Sequence, residues 1–305
     1  MDVPAAHPNE TVYSVCGRAH WTSGPADPVL SSIALLGHRR GGAQHVVPFG
    51  LKHLERVSQG AVQADRATLR ERTLLKVYLP FMAALERQVL ERAIFDGDHR
   101  SSACWPSGYQ SLFSGNHELR YCRKCLEVDR SALGHGYWHA EHQLPGVWVC
   151  PVHGLPLAFV PSRPKRRLEW VLVEDAVGEA EELLLLSDAD KQALWRVAVC
   201  CNWIGSCERL RPEALNIMVR KRLHNEKLVG SENKAEPGAL ERVGTYIQKG
   251  LSSTVSEHLE VPTTSRWIQE TLVDPRATHP VRWAVLLAAV GDVEAGGLTD
   301  EYLRA

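Results

Sequence analysis

Cys122-Arg-Lys-Cys125 and Cys150-Pro-Val-His153 form two half-sites, C-x-x-C and C-x-x-H, with 24 residues between them. Each half brings two soft or borderline donors together across a tight turn. Four such donors complete a tetrahedral zinc site. With no position left for water, such a site is a structural brace, and its binding energy is part of the folding energy. One structural Zn2+ on Cys122, Cys125, Cys150 and His153 is therefore expected. His135, His139 and His142 lie between the pairs and could each substitute for a ligand, although the paired spacing favours the four named first. Cys16, Cys104, Cys200, Cys201 and Cys207 show no second paired pattern, and free cysteine is often simply buried. A second metal on Cys201 and Cys207 is the weaker alternative.

Catalytic chemistry is hard to find. His139-Ala-Glu141 followed by Cys150-Pro151 shares fragments with the zinc deaminase signature. Its proline follows the cysteine instead of preceding it, His153 replaces the second cysteine, and Cys122 with Cys125 would close the coordination sphere. No G-x-x-x-x-G-K-[ST], G-x-S-x-G or H-E-x-x-H occurs. Glu181-Glu182 and Asp188/Asp190 lie in a polar stretch, without the apolar setting that tunes a general acid. The expectation is a non-enzyme, with a zinc-dependent hydrolase or deaminase as the distant alternative.

The elements around the cysteines read as helices. In the first hundred residues Asn9 is a candidate N-cap, with Val12, Val15, Cys16 and Ala19 at helical spacing. A short helix over Val29 to Leu36 and another over Gly50 to Ser58 follow. Asp65 caps a helix to about Tyr78, and Pro80 opens one with Met82, Leu85, Val89 and Ala93 on its inner face. From Ser101 to Pro161 turn residues and aromatics dominate, so regular structure should be sparse, apart from a short strand Val147-Trp148-Val149 that delivers Cys150. The basic Ser162 to Arg167 and the acidic run from Glu174 to Asp190 mark a linker or a solvated face. In the last third Ser187, Pro212, Pro237 and Pro280 are helix starts, and a helix-turn-helix is expected within 212–250.

The predicted organisation is mainly α: a helical N-terminal domain (1–100), a small treble-clef or ribbon-like zinc module (101–160), a charged linker (161–186), and a helical C-terminal domain (187–305) with a helix-turn-helix. The chain of 305 residues has a formal net charge of -1, so any contact with nucleic acid needs a local patch or a basic partner. Eight cysteines do not make a disulfide scaffold at this length. The N-terminus lacks the basic and apolar regions of a signal peptide, and no apolar run is long enough to span a bilayer. A cytoplasmic protein is expected.

Three elements resemble one family. Leu119 to Leu126 contains the CxxC pair, Gly136-Tyr-Trp-His-Ala-Glu-His-Gln-Leu-Pro-Gly146 follows, and Cys150-Pro-Val-His-Gly154 completes the set. This is similar to the zinc-finger core of the TniQ/TnsD proteins, which select target sites for transposons moved by TnsABC-type transposases. More loosely, Glu10 and Ser14 resemble the family's N-terminal E-x-x-x-S helix. Val219 to Leu228 resembles the first helix of a TnsD-type helix-turn-helix. His279-Pro-Val-Arg282 resembles a His-Pro-x-Arg-His motif, with Trp283 in place of the second histidine.

The resemblance implies a non-enzymatic adaptor that recruits the AAA+ regulator TnsC or TniB and, through it, the transposase. One branch docks on a CRISPR Cascade complex, often as a homodimer, and leaves sequence reading to guide RNA. The other binds its DNA site directly. The near-neutral charge and short length lean toward the Cascade branch. In the direct branch Arg220, Lys221, Arg222 and Lys227 are the expected DNA contacts. Trp21, Trp105, Tyr109 and Tyr137, in turn-rich or helix-end settings, are the expected partner contacts.

Overall fold

The structure is a computed structural model. It describes residues 2–24, 27–41, 45–98, 118–160, 169–178, 180–182, 186–207, 210–228, 239–259, 261–262, 266–276 and 278–290. It is mainly helical, with one small sheet, as the sequence predicts.

Thr11, not Asn9, caps α1 (Val12–Thr22): its hydroxyl accepts the Ser14 N–H, while Asn9 stands at φ 55° just before it. α2 (Pro28–Leu36) starts on Asp27 and ends at Gly37 in the left-handed conformation; α3 (Leu51–Val57) packs across it. α4 (Arg66–Arg72) is capped by Asp65 but stops well short of Tyr78. Thr73 is extended there and its hydroxyl takes the Leu75 N–H, which starts a separate 3-10 turn, Leu74–Val77. Pro80 likewise sits in a 3-10 turn, Leu79–Phe81, instead of opening a helix. α5 therefore begins later, at Ala84, and runs to Asp96. That shift rotates its inner face: Leu90, Ala93 and Ile94 are buried, whereas Leu85 and Val89, expected inside, are exposed.

The middle of the chain is more regular than its composition suggests. β1 (Leu119–Tyr121) leads into α6 (Arg123–Leu133), and α7 (Ala140–Gln143) is a single turn. The expected strand at 147–149 reduces to one bridge, Val149 with Pro156. β2 (Ala158–Val160) pairs antiparallel with β1, Tyr121 facing Ala158. Within the stretch expected to be a linker, α8 (Val173–Ala176) and β3 (Glu181–Glu182) are both tied down. β3 adds to β2, giving the order β1-β2-β3. Glu174 accepts from the Arg130 guanidinium and the Gly136 N–H, and Arg130 holds its carboxyl below the usual range.

α9 (Asp188–Ser206) is the spine of the rest. Ser187 and Asp190 form a reciprocal cap at its start. α10 (Pro212–Asn225), α11 (Ala239–Gly250), α12 (Ser253–His258), α13 (Arg266–Val273) and α14 (Pro280–Val290) complete the chain's described helices. The 74–77 turn, α12 and α14 pack against α9, and α10, α11 and α13 surround α14. Eight of the eleven residues of α14 are buried, because an apolar helix with neighbours on several sides has little face left for water. Trp283, the departure from the resembled motif, is fully buried there.

Candidate metal centre

Local structure delivers the four donors. Cys122 follows β1 directly and stands at the N-cap of α6, so Cys125 falls in that helix's first turn. Cys150 opens a tight reversal in which its carbonyl accepts from Gly154 N and its N–H donates to Leu155 O. Gly154 sits at φ 64°, which favours a residue without Cβ. The reversal turns His153 back over Cys150, and the His153 N–H points at the Cys150 sulfur, 3.4 Å away.

The donor atoms of Cys122, Cys125, Cys150 and His153 all lie within 4.8 Å of one another, the three cysteines buried. Cys125 Sγ is 3.8 Å from Cys150 Sγ, and His153 Nδ1 is 3.6, 3.3 and 3.6 Å from the sulfurs of Cys122, Cys125 and Cys150. Tetrahedral bonds of about 2.3 Å to sulfur and about 2.05 Å to nitrogen require edges of roughly 3.8 Å and 3.6 Å. The donor set fits one tetrahedral ion. The three thiols act on one another: the Cys122 thiol is held below its ordinary range, and those of Cys125 and Cys150 are pushed above theirs by Cys122. Among the described residues no other cysteine belongs to a metal-binding group; Cys201, offered as part of a second site, donates to Pro145 O.

A buried polar lattice holds the centre in place. The side chain of Arg120 is fully buried and donates to the carbonyls of Val147, Gln143 and Leu144. It also lies over Trp148, 4.8 Å from the ring centroid, and burial lowers its pKa to about 10. Gln143 answers with a two-way bond to the Arg120 backbone. His139 bonds Asp129 at 2.8 Å, which ties α7 to α6. Gly136 permits close packing: a Cβ there would stand 2.1 Å from Leu126 and 2.8 Å from Val173.

The N-terminal helices join this lattice directly. Thr11 N–H donates to Trp138 O, Trp138 N–H to Ser14 Oγ, and Ala140 N–H to Asn9 O. Buried Glu10 pairs with Arg18 and fixes the start of α1. The C-terminal helices meet the other side. The Gly146 turn lies against Val281 and Cys201, Trp195 donates to Pro151 O, and Tyr78 OH is 3.0 Å from His279 Nε2.

The aromatic residues expected at a partner surface separate. Trp21 is half exposed, although its ring N–H donates to Trp170 O. Tyr137 is buried instead, stacked on His7 and His139 with its hydroxyl on Pro8 O, because this small module uses it as core. Trp105 and Tyr109 lie outside the described residues.

The expected DNA contacts also separate. Arg220 donates to Leu272 O and Asn216, capping the end of α13. Lys221 and Lys227 are exposed and Arg222 is half buried. The expected helix-turn-helix at 212–250 has α10 and α11 on α14, with a connection outside the described residues. The sequence reading also does not anticipate two further helices, α12 on α9 and α13 on α11 and α14. Ser252 caps α12, Val255 and Leu259 point inward, and Trp267, Ile268, Thr271 and Leu272 form the inner face of α13. The signals are present in the chain: a Ser cap, Val255 and Leu259 four apart, and Pro262 before a second apolar stripe. Arg266, Gln269, Glu270 and Val273 share the outer face. No helix among the described residues is long and apolar enough to cross a membrane.

The family model for TniQ matches residues 3–157, half of the chain. No curated protein matches it. The matched span covers α1 to the metal centre, the part joined by the hydrogen bonds described above.

Proposed function

We propose that this chain, which belongs to the TniQ family of target-site selectors in transposition, is a non-enzymatic adaptor braced by one structural Zn2+. It links target recognition by a Cascade complex to an AAA+ regulator of the TnsC/TniB type. The observation that carries this reading is the union of the family-matched span with a further helical layer on the same core. Residues 9–14 and 138–140 bond into one unit, while the C-terminal helices meet the rest through α9, α12 and α14 and carry α10, α11 and α13 on α14. Such a body offers two separate surfaces, which is what an adaptor needs. A closed donor set of three cysteines and one histidine gives the zinc no open position for a substrate.

Recruitment is assigned to the N-terminal helices. α2 leaves Leu30 (62 % exposed) and Ile33 (40 %) outward, one turn apart, and Trp21 is exposed on the neighbouring helix. Exposed aromatic and aliphatic anchors suit a protein interface. Because the C-terminal helices share a core with the rest, the test uses the full chain. Leu30→Glu with Ile33→Glu should abolish pull-down by ATP-loaded TnsC and leave Cascade binding unchanged. Undiminished capture would place the interface elsewhere.

A second reading, direct binding of the target DNA, is favoured by the α13 face. Arg266, Gln269 and exposed Val273 offer a cation, an amide and an apolar contact on one side of a helix. These are the groups that read base edges in a major groove. A mobility shift with purified protein, with and without Cascade, separates the readings: a sequence-specific shift by the chain alone selects the second.

A further inference from the structure

His142, which the sequence offers as a substitute ligand, is not one of the four grouped donors, yet its ring touches them. Its Nε2 lies 3.7 Å from Cys125 Sγ and 3.6 Å from Cys150 Sγ. The residue is 2 % exposed, and its Nδ1 has no hydrogen-bond partner. Those facts select the tautomer. With the proton on Nδ1, a buried donor would be orphaned and the Nε2 lone pair would face two sulfurs. With the proton on Nε2, the N–H points at the sulfurs and only an acceptor is left unpaired, which costs less.

The ring is also held from behind. α7 carries His142 between His139, bonded to Asp129, and Gln143, clamped to the Arg120 backbone. The ring of His139 lies 4.9 Å from that of His142. His153, by contrast, places Nδ1 against all three sulfurs. Its donor occupies a vertex of the tetrahedron, whereas that of His142 lies over the Cys125–Cys150 edge.

We propose that His142 is a positioning residue that donates one shared N–H to the thiolates of Cys125 and Cys150, and so sets how tightly those two cysteines hold the metal. Three thiolates and a neutral imidazole around a divalent cation leave one net negative charge in a buried site. A hydrogen bond to sulfur spreads that charge and lowers the reactivity of the thiolates. The backbone N–H of His153 supplies a second such bond to Cys150. The inference rests on the zinc reading above.

The test uses the full chain, loaded with Zn2+ and separately with Co2+. His142→Phe keeps an aromatic ring and removes the donor; His142→Gln keeps a donor. His142→Phe should lose Zn2+ to a chelator on the order of tenfold faster than wild type. Its thiolates should alkylate faster, and the sulfur-to-cobalt charge-transfer band should move to longer wavelength. The cobalt d–d bands should stay those of a four-coordinate site with three sulfurs and one nitrogen, and His142→Gln should recover part of each effect. Wild-type release and charge-transfer energy in His142→Phe would reduce the residue to packing and overturn the proposal. Altered d–d bands in both variants would make His142 itself a ligand, which also overturns it. A wild-type chain that binds no metal would remove the zinc reading first, and this inference with it.

Discussion

The middle of this protein, around the candidate metal centre, and its C-terminal helical layer build their interiors by different means. Around the centre an apolar core that includes Trp138, Leu144, Val147 and Val149 is threaded by buried polar groups: Glu10, Arg120, Asp129, His142 and Gln143. Directional bonds set their places, and most donors there have a specified acceptor. In α9 and α14 the interior is Leu194, Val197, Ile204, Trp283, Val285, Leu286 and Leu287. There volume and apolar area decide, and partners are interchangeable within limits. The contrast teaches where each half is brittle. Losing one ligand undoes a lattice, whereas losing one apolar side chain leaves a cavity.

The largest effect should come from the metal. Chelation, or Cys150→Ala, should destabilise the protein by several kcal/mol, since the ion's binding energy is folding energy. Hydrogen exchange should show residues 119–160 losing protection before α14. Unchanged melting in the Cys150→Ala protein would erase the distinction between the two regions.

Next comes the apolar half. Trp283→Ala should cost about 3–5 kcal/mol through its cavity, with zinc content unchanged. A denaturant titration reads the first and metal analysis the second. A Trp283 variant that sheds its metal would show that the two interiors are one cooperative lattice.

A smaller effect is expected at the α13 surface. Arg266→Ala with Gln269→Ala should leave stability near wild type, because both side chains are exposed. If DNA is read directly, it should weaken specific binding by about 1–3 kcal/mol per lost base contact. Equal binding by a chain that does shift DNA would move the reading surface off α13.

The smallest effect concerns Glu174, which ties α8 to α6. Its carboxyl is held below the usual value by Arg130, so its contribution is full above the unfolded-state pKa. That contribution is lost as pH falls through the lowered folded value. Wild type and Glu174→Gln should differ by about 1 kcal/mol or less near neutrality, because the pair is partly exposed, and should converge in acid. A difference that grows on acidification would contradict the assigned pairing.

Legibility in the sequence follows the range of the interaction. Cys122 with Cys125 and Cys150 with His153 can be paired because three residues span one turn. Ser187, Pro212 and Pro280 mark real helix starts because capping is local. The starts of α12 and α13 are equally local, yet the more basic stretch before them draws the eye, a case of charge outweighing pattern. What the sequence by itself determined, then, was the donor set, the helix starts at Asp65, Ser187, Pro212 and Pro280, and the helical class. Only the tertiary structure decided that Leu85 and Val89 face water, that Arg220 caps α13, that Tyr137 is core, and that His142 covers the Cys125–Cys150 edge. Each of those outcomes depends on groups distant in the chain or on a shifted helix start, and chain spacing carries no record of such meetings until the fold brings them together.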